Sequence, residues 1–324
     1  MSLSQTLTAT GETRPRVSAN PLGDRVMHAL TFGSAILVLL VLGGVFISLI
    51  HGSLPAIQAF GLGFITSQSW NPVTEIFGAA APIYGTLLTS AIALLIAVPV
   101  GLGISIFLTE LSPAWLARPV AIAIELLAGI PSIIYGIWGL FVLAPFLQTT
   151  FQPFMIDLFS GVPVLSALFA GPPYGIGVFT AAIILAIMIL PFISSVTRDV
   201  FDTVPPMLKE AAYGLGATKW EVVKNVVIPH TRAGVIGAIM LALGRALGET
   251  MAVTFVIGNA HKIATSLLAP GTTISATIAN EFTEATGDIY TSSLIALGLI
   301  LFVVTFIVLA AARVMLHRME ARSK

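Results

Sequence analysis

The sequence predicts an all-α polytopic membrane protein with six transmembrane helices, and three observations carry that expectation. Charge is scarce: of 324 residues, 15 are Lys or Arg and 15 are Asp or Glu, 9% in all, where a soluble domain carries about 25%. Hydrophobic residues are abundant at 56%. They gather in uncharged runs longer than the roughly 18 residues that a helix rising 1.5 Å per residue needs to cross a hydrocarbon layer about 30 Å thick. The few positive residues are not scattered but fall on alternate connections between those runs.

The runs are 30–50, 83–108, 119–147, 176–197, 233–258 and 290–312, lengths that suit helices rather than barrel strands. The first follows Arg14, Arg16 and Arg25, lacks a small-residue cleavage site and is long enough to span, so it reads as an uncleaved first helix. Pro99, Pro131 and Pro191 interrupt the backbone hydrogen-bond ladder, so kinks covered by neighbouring helices are expected, with spans two and three bent.

Positive residues accumulate on the cytoplasmic side of a membrane. Three fall in the N-terminal tail, one at Arg118, five between Arg198 and Arg232, and four from Arg313 onward, 13 of the 15 on one face. The opposite segments, 51–82, 148–175 and 259–289, hold only Lys262 against Glu75, Asp157, Glu281, Glu284 and Asp288. Both termini are therefore expected in the cytoplasm, with a tail over 1–27, a transmembrane domain over 28–315 and a second tail over 316–324. The outer segments are rich in Gly, Pro and aromatics, and Trp70, Tyr174 and Tyr290 sit where interfacial rings prefer to lie. They either dock a partner or cap the helices.

Several function classes fall away. A net charge of zero provides no basic surface for nucleic acid. The absence of cysteine excludes disulfides, thiolate zinc sites and iron–sulfur ligation. No GxxxxGK[ST], HExxH or GxSxG occurs, and the five histidines (His28, His51, His230, His261, His317) are far apart in sequence. No catalytic residue, metal site or cofactor of the chain's own is expected, and nucleotide energy, if used, comes from another chain. The Gly-x-Gly pieces at Gly61, Gly101 and Gly214 lack a third glycine and read as packing or turn positions.

The longest cytoplasmic connection is the most organised. Pro205 and Pro206 suit a first helical turn, and 207–215 reads as a short helix with Leu208, Ala211, Ala212 and Leu215 on one side. Gly216 breaks it. Thr218 and Glu221 form a capping box that starts a second helix through Trp220, Val222, Val223 and Val226, which Pro229 is expected to stop. By periodicity alone this is an amphipathic hairpin lying along the inner membrane surface.

Arg245 and Glu249 lie inside the fifth run, four residues apart, so a continuous helix would put them on one face as a pair. Each costs about 2.5–3.5 kcal/mol at the bilayer centre on insertion scales, so each is expected to face protein or a wet path. Gly234, Ala238, Ala242 and Ala246 repeat at intervals of four, and Gly244 and Gly248 form a GxxxG, so close approach of neighbouring helices is expected. The pair either fixes helix packing or lines a pathway in which the guanidinium offers a fork of donors to an oxyanion. Glu125, early in the third run, reads as a buried carboxylate with a packing role.

The spelling of the hairpin, Glu210-Ala211-Ala212, then Gly216, then nine residues, then Val226-Val227-Ile228-Pro229, resembles the EAA signature of ABC importer permeases, with Val226 for Ile and Ile228 for Leu. The fifth-run segment Gly244-Arg245-Ala246-Leu247-Gly248-Glu249-Thr250-Met251-Ala252-Val253 is similar to the GRA-x-GETMAV segment of phosphate-specific ABC transporter permeases of the PstC type, in the binding-protein-dependent transport permease family. The paired permease of that family reads GETAP there, where this chain has Met251 and Ala252. Pro131-Ser132-Ile133-Ile134-Tyr135-Gly136 and Ile278-Ala279-Asn280-Glu281-Phe282 extend the resemblance from about Trp70 to the last run.

That resemblance implies a MetI-like type I importer architecture in a bacterial inner membrane. It implies that Glu210, Ala211, Ala212, Gly216 and Pro229 belong to a hairpin that docks on a cytoplasmic ABC ATPase, and that Arg245 and Glu249 line a phosphate path. The implied partners are a homologous second permease, an ATPase dimer and an external phosphate-binding protein, with lipid around them and no nucleic acid. A permease for another oxyanion, phosphonate or molybdate, is the nearer alternative. An ion-coupled secondary carrier is a different class, which would show inverted repeats with broken helices.

Overall fold

The computed structural model describes residues 21–321. Arg14 and Arg16 of the expected first tail, and Arg322 and Lys324 of the second, lie outside the described residues. The chain divides into two compact units, residues 1–48 and 49–324. Six helices among the described residues are long and apolar enough to cross a membrane.

Helix α1 spans Pro21–Phe60. As far as residue 48, its described Leu, Val and Ile side chains are exposed all round the helix, the composition of a helix whose solvent is lipid. Its last turns belong to the second unit, where the Ala56 N–H donates to Ser292 Oγ at 2.9 Å.

In the second unit α2 covers Ala80–Leu111, α3 Ala114–Ala128, α4 Ser132–Phe159 and α5 Val178–Asp202. Then follow α6 (Pro206–Gly214), α7 (Lys219–Leu247), α8 (Met251–Val256), α9 (Ile274–Glu281) and α10 (Asp288–Ala321). The first, second, fourth and sixth runs are thus found as helices, each extended at one or both ends. The third and fifth are not placed as expected.

The third run is two helices rather than one bent span. Pro131 lacks an N–H and disfavours the helical conformation at Ile130, so α3 ends at Ala128 with Gly129 as its cap. The Tyr135 hydroxyl reaches back across the break and donates to the Leu127 carbonyl at 2.8 Å, supplying one of the bonds that the helix end leaves open. The membrane-spanning helix is α4, which continues twelve residues beyond the expected end at 147.

The fifth run is displaced in the opposite sense. α7 starts at Lys219 in the hairpin and runs through Pro229 to Leu247, where Gly248 caps it. Pro229 does not stop the helix because the turn before it is widened: 223–227 form a π-turn. The same device occurs at two further prolines. π-turns at 139–143, 147–151 and 223–227 each end two residues before a proline inside a continuing helix, Pro145, Pro153 and Pro229. A proline ring collides with the carbonyl four residues earlier, and in these three cases that carbonyl lies inside the widened turn, where the five-residue repeat gives it room. The π-turn at 107–111 instead ends α2, because Ser112 is extended ahead of Pro113.

α5 is the hub. Two thirds (67%) of its most apolar stretch is buried, against 28% or less for every other span. Ala181, Ile184 and Met188 pack on Tyr135 and on Ala252, Val253 and Val256 of α8. Leu185, Ala186, Ile189 and Ile193 pack on Ala93 and Ala97 of α2 and on Ala242 and Ala246 of α7. Lipid tails are as apolar as leucine, so burial from water does not hold such helices together; close van der Waals packing does, which is why the contact positions on α2 and α7 are alanines. Gly101 is a packing glycine of this kind: a Cβ there would lie 2.8 Å from Ile193 Cγ2. The GxxxG at 244 and 248 is not: Gly244 has only ordinary van der Waals contact with Leu309, and Gly248 ends the helix.

The N-terminal end of α2 meets the segment 259–289 at closer range still. A Cβ on Gly85 would stand 1.8 Å from the Thr272 carbonyl oxygen, so no other residue fits without moving backbone. Beside it the Ile274 N–H donates to Thr86 Oγ1 at 2.9 Å, and Ile274 to Thr277 are buried. This segment therefore caps the helices at that end. At the opposite end a small apolar cluster, Phe201, Val204, Val222 and Val227, seats the hairpin on α5 and α7.

Candidate functional site: hairpin, arginine segment and Glu281 cluster

The hairpin folds as its sequence dictates. Pro206 opens α6, Leu215 caps it, and Gly216 turns the chain at φ +87°, in the left-handed region that a residue with a Cβ avoids. The Thr218 hydroxyl accepts from the Glu221 N–H at 3.4 Å while the Glu221 carboxylate accepts from the Thr218 N–H at 2.8 Å, a complete capping box. Glu210, Ala211 and Gly216 are exposed. Ala212, by contrast, packs against the Phe201–Val222–Val227 cluster. Leu208 and Leu215 (90%), which periodicity put on one side with Ala211 and Ala212, are exposed, and so is Met207 (77%), which periodicity did not set apart. Pro229 lies within α7, past the hairpin's elbow.

Arg245 and Glu249 are not a pair. α7 ends between them, at Leu247, so the four-residue spacing no longer puts them on one face. Glu249 turns to the next helix instead, its Oε1 accepting from the Ala252 N–H at 3.4 Å at the start of α8. Arg245 lies with its guanidinium carbon 4.6 Å above the ring of Phe192 on α5, and forms no ion pair with a carboxylate among the described residues. Phe192 was invisible to sequence reasoning because 53 residues separate it from Arg245. Tyr135 lies within electrostatic reach of the same guanidinium. A contact with a ring face takes up none of the guanidinium's N–H donors in a hydrogen bond to a carboxylate, so they stay available. Arg245 also borders an open cleft of about 550 Å³ between α7 and α10, with Gly244, Thr305 and Arg313. An exposed cation in an apolar span requires an anion or a wet path, and this arrangement offers donors to one.

Glu125 is not buried as expected. Its side chain is 47% exposed and accepts from Arg198 Nη2 at 2.7 Å, an ion pair joining α3 to the end of α5.

The end of the bundle opposite the hairpin holds a cluster that the sequence did not assemble. The Glu281 carboxylate accepts from Trp70 Nε1, from the Tyr290 hydroxyl at 2.8 Å and bonds His261 Nε2 at 2.8 Å. The Trp70 and His261 rings stack at 4.9 Å, and Phe77 stacks on Tyr290. Three distant stretches are thus pinned by one carboxylate. The only sequence signals were Trp70 and Tyr290 as interfacial rings. No group of three His, Asp or Glu able to hold a metal occurs among the described residues.

Burial is the strongest single influence on Glu281 and pushes its carboxyl up, but the hydrogen bonds from His261, Tyr290 and Trp70 together outweigh it and hold the group below the ordinary value. A carboxyl depressed in the folded state contributes stability that is present above the unfolded pKa of about 4.3 and lost as pH falls through the lower folded value. The cluster is therefore expected to stay closed from neutral pH down to about 4.3 and to loosen only below it. Hydrogen exchange of the amides around 276–282 measures this. Glu281→Gln, which leaves partners unsatisfied at a cost of about 1–3 kcal/mol, should raise exchange at neutral pH and remove the acid step; exchange that ignores both acid and the substitution would refute the role of the carboxylate.

Residues 97–321 match the family model described as binding-protein-dependent transport system inner membrane component. The chain is 72% identical over 302 residues to a protein of Mesorhizobium japonicum named phosphate transport system permease protein PstC, with 93% of this chain and 92% of that one covered. Proteins of the same name from Haemophilus influenzae and Xylella fastidiosa are 57% and 54% identical, with coverage of 88% and 92% of this chain and 90% and 92% of theirs. Among solved structures, a bacterial alginate ABC transporter is similar with a TM-score of 0.61 at 19% identity, covering 91% of this chain and 95% of that one. The methionine ABC transporter MetNI in inward-facing conformations is similar with a TM-score of 0.55 at 16% identity, covering 78% and 99%. At these identities the structural likeness is one of fold.

Proposed function

The chain belongs to the family of binding-protein-dependent transport system inner membrane components, and from that premise we propose that it is the phosphate-translocating permease subunit of an ATP-driven importer. It is a multi-pass inner membrane protein and a transport subunit, not an enzyme. The observation that carries the phosphate reading is Arg245: a guanidinium inside an apolar span, over the Phe192 ring and without a carboxylate partner among the described residues, so that its donors stay available. A bidentate fork fits the oxygens of a tetrahedral oxyanion.

In this reading an external binding protein delivers phosphate, and a homologous second permease completes the path beside Arg245. A cytoplasmic ATPase dimer closes on ATP, and the hairpin of α6 and the start of α7 carries that closure into the membrane. Glu210, Ala211, Ala212 and Gly216 form the docking element. The widened turn keeps α7 continuous past Pro229, so that a push on the hairpin reaches Arg245 along one helix of 29 residues. Glu249 holds the start of α8 and shapes the path next to the arginine rather than neutralising it. The hairpin face and both termini lie in the cytoplasm, the placement that 13 of 15 positive residues favour.

The test is uptake of labelled phosphate into vesicles holding the complete importer, with and without excess phosphonate or molybdate. Phosphate should accumulate in an ATP-dependent manner and resist both competitors. Accumulation of molybdate or phosphonate in preference to phosphate would move the chain to another oxyanion, and ATP-independent uptake would make it a secondary carrier.

A further inference from the structure

α6 is held to the membrane helices in two ways. One is apolar: Ala212 and Ala217 pack with Ile106, Val226 and Val235 around the Phe201–Val204–Val222–Val227 cluster. The other is a single ion pair. Lys209 Nζ, on α6, donates to Glu110 Oε1 at 2.5 Å across 99 residues of sequence. The Glu110 side chain is 6% exposed and that of Lys209 21%. Glu110 lies in the π-turn that ends α2, and Lys209 is its one salt-bridge partner among the described residues.

The two attachments differ mechanically. Apolar contacts resist separation weakly and slide, whereas a buried carboxylate deprived of its cation is left uncompensated, so the pair holds under tension as well as compression. The other end of α2 is fixed just as firmly, by the Gly85 backbone against Thr272 and by Thr86 Oγ1 accepting from the Ile274 N–H. Between these ends α2 is one span of 32 residues, about 48 Å at 1.5 Å per residue, and it packs along the α5 hub. A displacement of α6 is thus delivered to the outer capping segment through one continuous helix.

We infer that Lys209 and Glu110 form a clip that couples movement of the docking helix to α2 and, through α2, to the outer segment around Thr272–Ile274. Lys209 is a positioning residue: it touches neither the transported anion nor nucleotide. The inference rests on the reading of α6 as the ATPase-docking helix. It adds a second line of transmission beside α7, one that ends at the outer capping segment rather than at Arg245.

The experiment compares complete importers in vesicles carrying Lys209→Met, Glu110→Gln, Lys209→Arg, and the exchange Lys209→Glu with Glu110→Lys. It reads ATPase co-purification, ATP hydrolysis, and anion transported per ATP. Lys209→Met and Glu110→Gln should retain the ATPase and hydrolyse ATP, while anion per ATP falls at least 10-fold. Lys209→Arg and the exchanged pair should regain at least half of the native ratio. A native ratio in Lys209→Met overturns the clip, because α6 then drives the gate without it. Loss of the ATPase from both single variants without recovery in the exchanged pair also overturns it, by making Lys209 a docking or folding residue. Should a single variant fail to assemble, the exchanged pair decides on its own: native coupling supports the clip and its absence refutes it. The unsubstituted complex checks the underlying reading separately. If it carries a different oxyanion, the phosphate assignment fails while the anion-per-ATP ratio still tests the clip; if it retains no ATPase, the docking reading fails and the clip with it.

Discussion

Arg245→Gln is expected to lower phosphate uptake about 10- to 150-fold, the range corresponding to loss of a hydrogen bond to a charged group worth about 1.5–3 kcal/mol, with no loss of subunit assembly. Assembly should survive because Arg245 is exposed within the chain and its one defined contact is the Phe192 ring, worth about 0.5–1 kcal/mol at an accessible site. Had the arginine been locked to Glu249, removing it would have stranded a buried carboxylate and damaged the fold and the transport together. Because Glu249 caps α8 instead, the two effects separate. Arg245→Lys keeps the charge but replaces the planar fork with a point charge that stacks less well, so uptake should fall between native and Gln. Glu249→Gln keeps an acceptor for the Ala252 N–H and should be milder than Arg245→Gln. Initial uptake rates in vesicles, normalised to assembled complex, measure all three. Native uptake by Arg245→Gln would end the anion role assigned to this residue.

What could be read from the sequence divides along physical lines. Hydropathy integrates over a whole helix, so the existence of six spans was legible even where their ends were not. The capping box at Thr218 and Glu221 and the turn at Gly216 were legible because each is a local requirement written within four residues. Pro131 was expected to bend one span and instead separates two helices, since whether a proline breaks, kinks or is absorbed depends on the turn before it. Pro229 is absorbed by a π-turn for which Val223 to Val227 give no sequence signal. The Arg245–Glu249 spacing misled for a related reason: a four-residue rule assumes an intact helix, and the helix stops at Leu247. Contacts such as Lys209 with Glu110, Arg245 with Phe192, and Trp70 with Glu281 join residues 53 to 211 positions apart. No local pattern specifies such pairs, and they appear only once the helices are packed around α5.

The docking hairpin has two faces, and substitutions on them should fail differently. On the outer face Ala211 is exposed between Met207 and Leu215, so Ala211→Trp meets no neighbour within the chain and should change its stability by no more than about 0.5 kcal/mol, as at other surface positions. Its bulk falls where an ATPase groove would have to close on a small side chain, and at least a 10-fold loss of ATPase co-purification is expected. On the inner face Ala212 packs into the Phe201–Val222–Val227 cluster, and Ala212→Trp should overpack it at a cost of about 1–3 kcal/mol, lowering the yield of folded permease before docking is tested. Gly216→Val probes the elbow between them. A Cβ there meets open space, yet φ +87° is a conformation that L side chains avoid, at about 1–2 kcal/mol. The elbow should relax toward another angle, leaving the ATPase bound but reducing phosphate moved per ATP several-fold. Pull-down of the ATPase together with the transport-to-hydrolysis ratio distinguishes the three. If Ala211→Trp binds the ATPase and transports like the native chain, α6 is not the docking helix, whereas loss in Ala211→Trp beside intact folding places the ATPase on the face that carries Met207 and Leu215.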